Sequence, residues 1–256
     1  MNAAADQAEK DEAAARAINS QAPAIMAEEA KKIGAALVHY STDYVFDGSK
    51  NTPYDEDDPP NPISVYGATK LAGEQAIRES GVHHLIFRTA WVYSTRCKNF
   101  LLTILRVATQ REELTIVRDQ IGAPAWSREI ANATAKALEQ TCNPTDGTAA
   151  WSGRSGRYHM TAGGETNWYE FTRAILQEAA QAPDSAAWFH AATNGKELLT
   201  RRVLPITTAE YPTPARRPAY SVLSNSRLNR TFGIQLPDWR QQLKMAFSPA
   251  PPNAVR

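Results

Sequence analysis

Residues 35–44 read Ala35-Ala-Leu-Val-His-Tyr40-Ser41-Thr42-Asp43-Tyr44. The first six make a short apolar run, which predicts a buried strand over 35–40. The next four are small, hydroxylic and acidic, a turn chemistry at the strand's end. A polar loop follows from Asp47 to Asn61, broken by Pro53, Pro59 and Pro60. A helix is predicted from near Ser64 to about Ser80, with Gly81 as its stop. His84 to Thr89 is the next strand, with branched and alternating residues. The alternation continues outward. Phe100, Leu101, Ile104, Leu105 and Val107 recur at helical spacing within Asn99–Thr109. Leu114–Val117 and Tyr158–Met160 read as strands, and Arg128–Leu138, Trp168–Ala180 and Trp239–Phe247 as helices. Strand and helix in turn predict an α/β fold with a parallel sheet.

Upstream, residues 6–32 read as helix, rich in alanine and alternating charge. Asn19 or Ser20 is placed to cap a second helical piece, with Pro23 near its first turn. Lys31 and Lys32 lie in its last turn, and Gly34 ends it. The tail from Val203 to Arg256 carries little periodicity before its final helix. It predicts a smaller substrate-facing lobe, so that residues 1–145 and 146–256 form two interleaved units.

The composition excludes several classes. The chain has 256 residues, a net charge of +1 and 43% hydrophobic residues, enough for a substantial core. The near-zero charge lacks the electrostatic footprint of a nucleic-acid or polybasic membrane binder. Two cysteines, Cys97 and Cys142, make no disulfide framework and no Cys-x-x-Cys site, which suits a reduced compartment. No apolar run reaches the ~18 residues of a membrane span. The start lacks the apolar region of a signal peptide. These features predict a soluble, cytoplasmic protein with no nucleic-acid or membrane partner.

Tyr66 and Lys70 form a Tyr-x-x-x-Lys pair on the predicted helix at 64–80. Positions four apart share one helical face. A phenol titrates at roughly 10, and an ammonium nearby favours its phenolate. Such a pair can serve as a general acid or base near neutral pH. Among 9 tyrosines and the lysines of this chain, chance alone supplies about 0.3 such pairs, so the motif alone is weak. Its neighbourhood strengthens it. Ligand groups gather at the carboxyl ends of parallel strands. Thr42 there can hydrogen-bond a substrate oxygen, and Asp43 can grip sugar hydroxyls. The competing reading is a turn that satisfies the backbone at a strand end.

Other residues divide between roles. Arg216 and Arg217 suit either a diphosphate or a carboxylate within a turn. Asp119 and Gln120 fit the organisation of a loop, and Trp126, Trp151 and Trp239 fit packing. His39, His83, His84, His159 and His190 show no metal-ligand spacing. His159, on a predicted strand, reads as a hydrogen-bonded structural residue. Cys97 has no evident base partner.

The motif Ser41-Thr-Asp-Tyr-Val-Phe-Asp-Gly48, followed by Tyr66-Gly-Ala-Thr-Lys70, resembles the extended short-chain dehydrogenase/reductases. Within them the chain is similar to the dTDP-4-dehydrorhamnose reductase family. The likeness continues through Arg88-Thr-Ala-Trp-Val-Tyr93, Asn99-Phe100, Asp119-Gln-Ile-Gly-Ala-Pro124 and Gly156-Arg-Tyr-His159. It runs on through Asn167-Trp-Tyr-Glu-Phe171, Tyr211-Pro-Thr-Pro-Ala-Arg-Arg-Pro218 and Phe232-Gly-Ile-Gln-Leu-Pro-Asp-Trp239, in order over nearly the whole chain.

The resemblance implies a Rossmann-like doubly wound sheet with a smaller C-terminal substrate lobe. It implies an oxidoreductase of nucleotide-sugar biosynthesis. Hydride would pass from NADPH or NADH to the 4-keto group of dTDP-4-dehydro-6-deoxy-L-mannose, giving dTDP-L-rhamnose. By the same likeness Thr42, Tyr66 and Lys70 are the catalytic trio. Tyr66 donates the proton to the nascent alkoxide, and Lys70 binds the nicotinamide ribose and tunes Tyr66. Thr42 and Asp43 contact the hexulose, Trp91 lines the sugar pocket, and Tyr40 meets the cofactor. The family also brings in Mg2+ and a homodimer as options.

One family feature has no counterpart. The likeness implies an opening strand, a Gly-x-x-Gly-x-x-Gly turn and a helix, in which backbone N–H groups cradle the cofactor pyrophosphate. No such glycine cluster occurs here. Gly147, Gly153, Gly156, Gly163 and Gly164 come too late. Roughly 60 residues, about two βα units, are wanting by this comparison. Asn2-Ala-Ala-Ala5 also passes directly into Asp6, without the Tyr-Thr that the family places there. The expectation is an N-terminally shortened member lacking the first strands of its sheet. Its cofactor binding would be impaired, and its strand at 35–40 would be a bare edge of poor solubility. The alternative is a non-catalytic sugar-nucleotide-binding or regulatory subunit of the same fold. A sibling epimerase or dehydratase fits less well, because Asp43 is followed by Tyr44 rather than a second acid.

Overall fold

The computed structural model describes residues 3–142, 151–181 and 187–248. Helices α1 (Ala3–Lys10), α2 (Glu12–Arg16) and α3 (Ala22–Lys32) lead to strand β1 (Leu37–Thr42) and helix α4 (Val65–Ser80). Then come β2 (His84–Thr89), α5 (Phe100–Ala108), β3 (Glu113–Val117), β4 (Ile121–Gly122) and α6 (Ser127–Cys142). Next are β5 (Gly156–His159), β6 (Thr166–Asn167), α7 (Trp168–Ala179) and α8 (Ala187–Thr193). The chain closes with β7 (Arg202–Ile206), α9 (Ser226–Phe232) and α10 (Trp239–Phe247).

The central sheet is parallel, in the order β1-β2-β5. Its strands are sandwiched, and β2 makes this plain. Leu85 and Phe87 enter the large core with α5, α6, α7 and α10, while Ile86 packs with Ala27 and Ile77 of α3 and α4. Alternate side chains of a strand point to opposite faces, so both faces of β2 are buried. Each fully buried residue of this size contributes about 1.5–3 kcal/mol. Among the described residues β1 has β2 as its one strand neighbour.

Local signals explain most boundaries. Ser64 caps α4 by accepting from Gly67 N at 3.1 Å, and Gly81, at φ +71, ends it. Asn99, Asn167 and Asp238 cap α5, α7 and α10 in the same way.

The structure departs from the sequence expectation in three places. The helical start is not capped afresh at Asn19 or Ser20. Asp11 interrupts it, and a π-helical turn over Ala17–Gln21 joins α2 to α3. The strand at 114–117 leaves the central sheet and pairs in parallel with β7. The tail holds β7, a 3-10 turn at Thr208–Glu210 and α9 besides its last helix. β5, from the second half of the chain, sits in the central sheet, and β7 pairs with β3 of the first half. The 145/146 boundary and Asn2 lie outside the described residues. Among the described residues no helix is long and apolar enough to cross a membrane.

Candidate active site

The carboxyl ends of β1 and β2 build the site. Thr42 and Thr89 are register partners at the last rung. Beyond it β1 runs into a 3-10 turn, Asp43–Val45, and β2 runs into Trp91. Thr42 Oγ1 donates to Asp43 Oδ1 at 2.9 Å and accepts from Tyr44 N at 3.2 Å, so one hydroxyl shapes the turn. Both Thr42 and Asp43 are buried.

The first turn of α4 brings Tyr66 to this corner. Gly67 makes the approach possible, since a Cβ there would lie 2.1 Å from the Tyr44 carbonyl oxygen. The rings of Tyr44 and Tyr66 meet edge to face at 5.6 Å. A distant element fixes the helix start, because Val65 N donates to Glu9 Oε1 of α1 at 2.8 Å.

The electrostatics follow from burial. Desolvation pushes the Asp43 carboxyl up to about 6, while the hydroxyls of Ser221 and Thr42 act the other way. Asp43 Oδ2 and Ser41 Oγ have no hydrogen-bond partner. Burial, and then the Asp43 charge, push the Tyr66 phenol up to about 12, and the nearby Thr42 hydroxyl opposes them. Tyr66 is therefore a protonated phenol at pH 7. Burial lowers the Lys70 ammonium to about 8, with Glu74 opposing.

Lys70 sits one turn beyond Tyr66. Its Nζ donates to the Tyr40 carbonyl at 2.6 Å and lies 3.1 Å from His39 Nε2. It is thus the backbone of Tyr40 that faces Lys70. The Tyr40 ring turns to the opposite face, where its hydroxyl lies 2.8 Å from Thr134 Oγ1 of α6. Trp91 belongs to a separate aromatic stack. Its ring lies flat on Trp168, with centroids 3.5 Å apart and 4° between planes. Its own φ is 48°, an uncommon conformation for a bulky residue. The ring covers Gly122, where a Cβ would fall 2.4 Å from the indole. Thr42, Asp43 and Tyr66 are therefore gathered, Lys70 adjoins them along α4, and Trp91 stands on the neighbouring strand end.

The remaining candidates find structural partners. Arg217 forms an ion pair with Asp6 of α1 at 3.0 Å and also reaches Thr213, whereas Arg216 is exposed. Of the two readings for this pair, the carboxylate-bound turn holds for Arg217. Asp119 accepts from Thr208 N and Oγ1, and Gln120 links Thr208 to Trp168, so both organise loops. His159 is buried with Nδ1 3.0 Å from the Tyr54 carbonyl oxygen. Cys97 and Cys142 are exposed and free. Among the described residues no three His, Cys, Asp or Glu side chains are placed to hold a metal ion.

Sequence reasoning missed the buried network behind the site. Arg88 of β2 grips Glu74 of α4 through Nε at 2.9 Å and Nη2 at 2.7 Å, both side chains being fully buried. Its available signal was a lone arginine ending an apolar strand. It also missed His39, whose partner is remote in sequence.

Residues 2–250 match the family described as the RmlD substrate binding domain. A dTDP-4-dehydrorhamnose reductase of Burkholderia thailandensis is 50% identical over 244 residues, covering 94% of this chain and 78% of that protein. Among solved structures, a dTDP-4-dehydrorhamnose reductase of Clostridium acetobutylicum superposes with a TM-score of 0.81 at 33% identity, covering 96% of this chain and 76% of the other. A dTDP-4-dehydrorhamnose reductase of Bacillus anthracis in complex with NADP gives a TM-score of 0.80 at 33% identity, covering 95% and 76%.

Proposed function

The chain belongs to the RmlD substrate binding domain family, and from that premise we propose that it is a dTDP-4-dehydrorhamnose reductase. The reaction is reduction of dTDP-4-dehydro-6-deoxy-L-mannose to dTDP-L-rhamnose, with the hydride supplied by NADPH or NADH. The observation that carries this reading is the placement of Thr42, Asp43 and Tyr66 in one corner at the carboxyl end of a parallel sheet, with Lys70 one turn along α4.

Each side chain has a role its surroundings suit. Tyr66 holds a proton at pH 7 and donates it from its phenol to the forming C4 alkoxide. Thr42, whose hydroxyl lies beside the Tyr66 phenol and lowers its pKa, orients the sugar oxygen. Asp43 offers an unpaired carboxyl oxygen to a sugar hydroxyl. Trp91 walls the sugar from the neighbouring strand end. Lys70 presents an ammonium next to Tyr40 for the nicotinamide ribose. Residues up to 145 carry mainly the cofactor side and those from 146 the substrate lobe.

The residues present fit the ribose end of a nicotinamide cofactor. They offer no glycine-rich turn for its pyrophosphate. Fluorescence titration with NADPH tests the ribose fit: saturable binding that Lys70→Ala weakens is expected, and binding indifferent to that change contradicts it. The activity is tested by incubating the protein with the dTDP-4-keto sugar and saturating NADPH and assaying dTDP-L-rhamnose. Tight sugar binding with no product would instead support a non-catalytic sugar-nucleotide-binding subunit.

A further inference from the structure

The Lys70 ammonium is held by two consecutive residues of β1. Nζ donates to the Tyr40 carbonyl oxygen at 2.6 Å and approaches His39 Nε2 at 3.1 Å. Successive side chains of a strand point to opposite faces. The His39 ring is thus on the α4 side, while the Tyr40 ring is on the α6 side against Thr134. His39 is half-buried. Burial and the Lys70 charge push its imidazole down to about 4, with Glu74 opposing, so the ring is neutral at pH 7.

A neutral imidazole has one protonated and one bare nitrogen, and an ammonium can only donate. The Nζ contact therefore makes Nε2 the acceptor and puts the ring proton on Nδ1. An ammonium has three N–H groups. The Tyr40 carbonyl and the imidazole take two, and one is left.

We propose that His39 is the positioning residue of Lys70, fixing its ammonium against β1 through Nε2 and leaving a single donor for the ligand of the site. The geometry stands by itself; only its effect on turnover rests on the reductase reading. A lysine has a flexible four-carbon stem, and one hydrogen bond to a backbone carbonyl leaves the ammonium free to swing. The imidazole adds the second anchor that defines its direction.

Nuclear magnetic resonance of protein labelled with 15N at lysine and histidine side chains tests this without substrate. Lys70→Arg assigns the Lys70 signal by its disappearance. The wild type is expected to show a slowly exchanging Lys70 ammonium at pH 6 and a His39 ring protonated at Nδ1. His39→Leu is expected to speed ammonium exchange about tenfold, the scale of one lost hydrogen bond to a charged group. His39→Gln, whose amide oxygen can accept in the same place, is expected to restore most of the protection. In turnover, His39→Leu should raise KM for the cofactor about tenfold and His39→Gln should recover it. A wild-type His39 ring protonated at Nε2 overturns the proposal, even if His39→Leu does not fold. So does a Lys70 ammonium that exchanges equally fast with and without His39. If the ammonium responds as expected but no variant alters turnover, the reductase reading of Lys70 fails and the positioning stands.

Discussion

Glu74 and Asp43 are both buried carboxylates, and their surroundings differ sharply. Glu74 receives two hydrogen bonds from Arg88, and Arg157 Nη1 stands 3.7 Å away. Asp43 receives a hydroxyl from Thr42 and leaves Oδ2 without a partner, and burial drives its carboxyl up to about 6. The charge that ties α4 to the central sheet is paired by a guanidinium. The charge at the end of β1 is left in want of a partner, at the place where a ligand would supply one. Unpaired polar atoms in a buried site are costly to stability and informative about function.

The largest effect on stability is expected at Glu74. Arg88→Met strips the buried Glu74 carboxylate of both its hydrogen bonds and leaves it only the more distant Arg157, and urea unfolding should show a loss of about 3–5 kcal/mol. Replacing both partners by apolar residues, Glu74→Leu with Arg88→Met, should cost much less than Arg88→Met alone. Equal losses would mean that the pair is not what matters there.

Asp43 should behave in the opposite way. Its folded carboxyl titrates near 6 and an exposed one near 3.9, so the folded state favours the protonated form. The stability this lends is complete below about pH 4 and is lost as pH rises through about 6. Asp43→Asn, neutral at every pH, should therefore gain about 2–3 kcal/mol at pH 8. It should flatten the pH dependence over that window and lose sugar turnover. A destabilised Asp43→Asn would show that the carboxylate is already paired.

Smaller effects sharpen the picture around the site. Gly122→Ala pushes a methyl group into the Trp91 ring and should cost about 1–3 kcal/mol, with a rise in KM for the sugar. Turnover should fall as pH rises through about 8, where the Lys70 ammonium loses its proton. A flat profile up to pH 9 would remove Lys70 from the mechanism.

Much of this was legible in the sequence because it is local. The Ser64 cap, the Gly81 stop and the four-residue spacing of Tyr66 and Lys70 are all encoded within one helix. The turn chemistry of Thr42 and Asp43 is encoded at one strand end. What escaped depends on distant partners. β7 carries Pro205 in a stretch of little periodicity, yet it pairs with β3, its one partner among the described residues, and an edge position tolerates a residue that lacks an N–H. The π-helical turn at Ala17–Gln21 has no composition of its own. Glu74 and Arg88 are separated by a helix end, a turn and a strand, and nothing in either neighbourhood announces the other. Tyr40 shows a subtler limit: its position at the strand end was readable, but whether its ring or its carbonyl meets Lys70 was not.

Tyr66 is the proposed proton donor of a sugar-nucleotide reduction. Its most direct test follows nicotinamide absorbance with the dTDP-4-keto sugar at saturating NADPH, comparing the wild type with Tyr66→Phe. Steady oxidation of the cofactor is expected from the wild type, and a rate about 10²- to 10⁴-fold lower from the variant. Equal rates for the two, or sugar binding with no oxidation at any cofactor concentration, would contradict it.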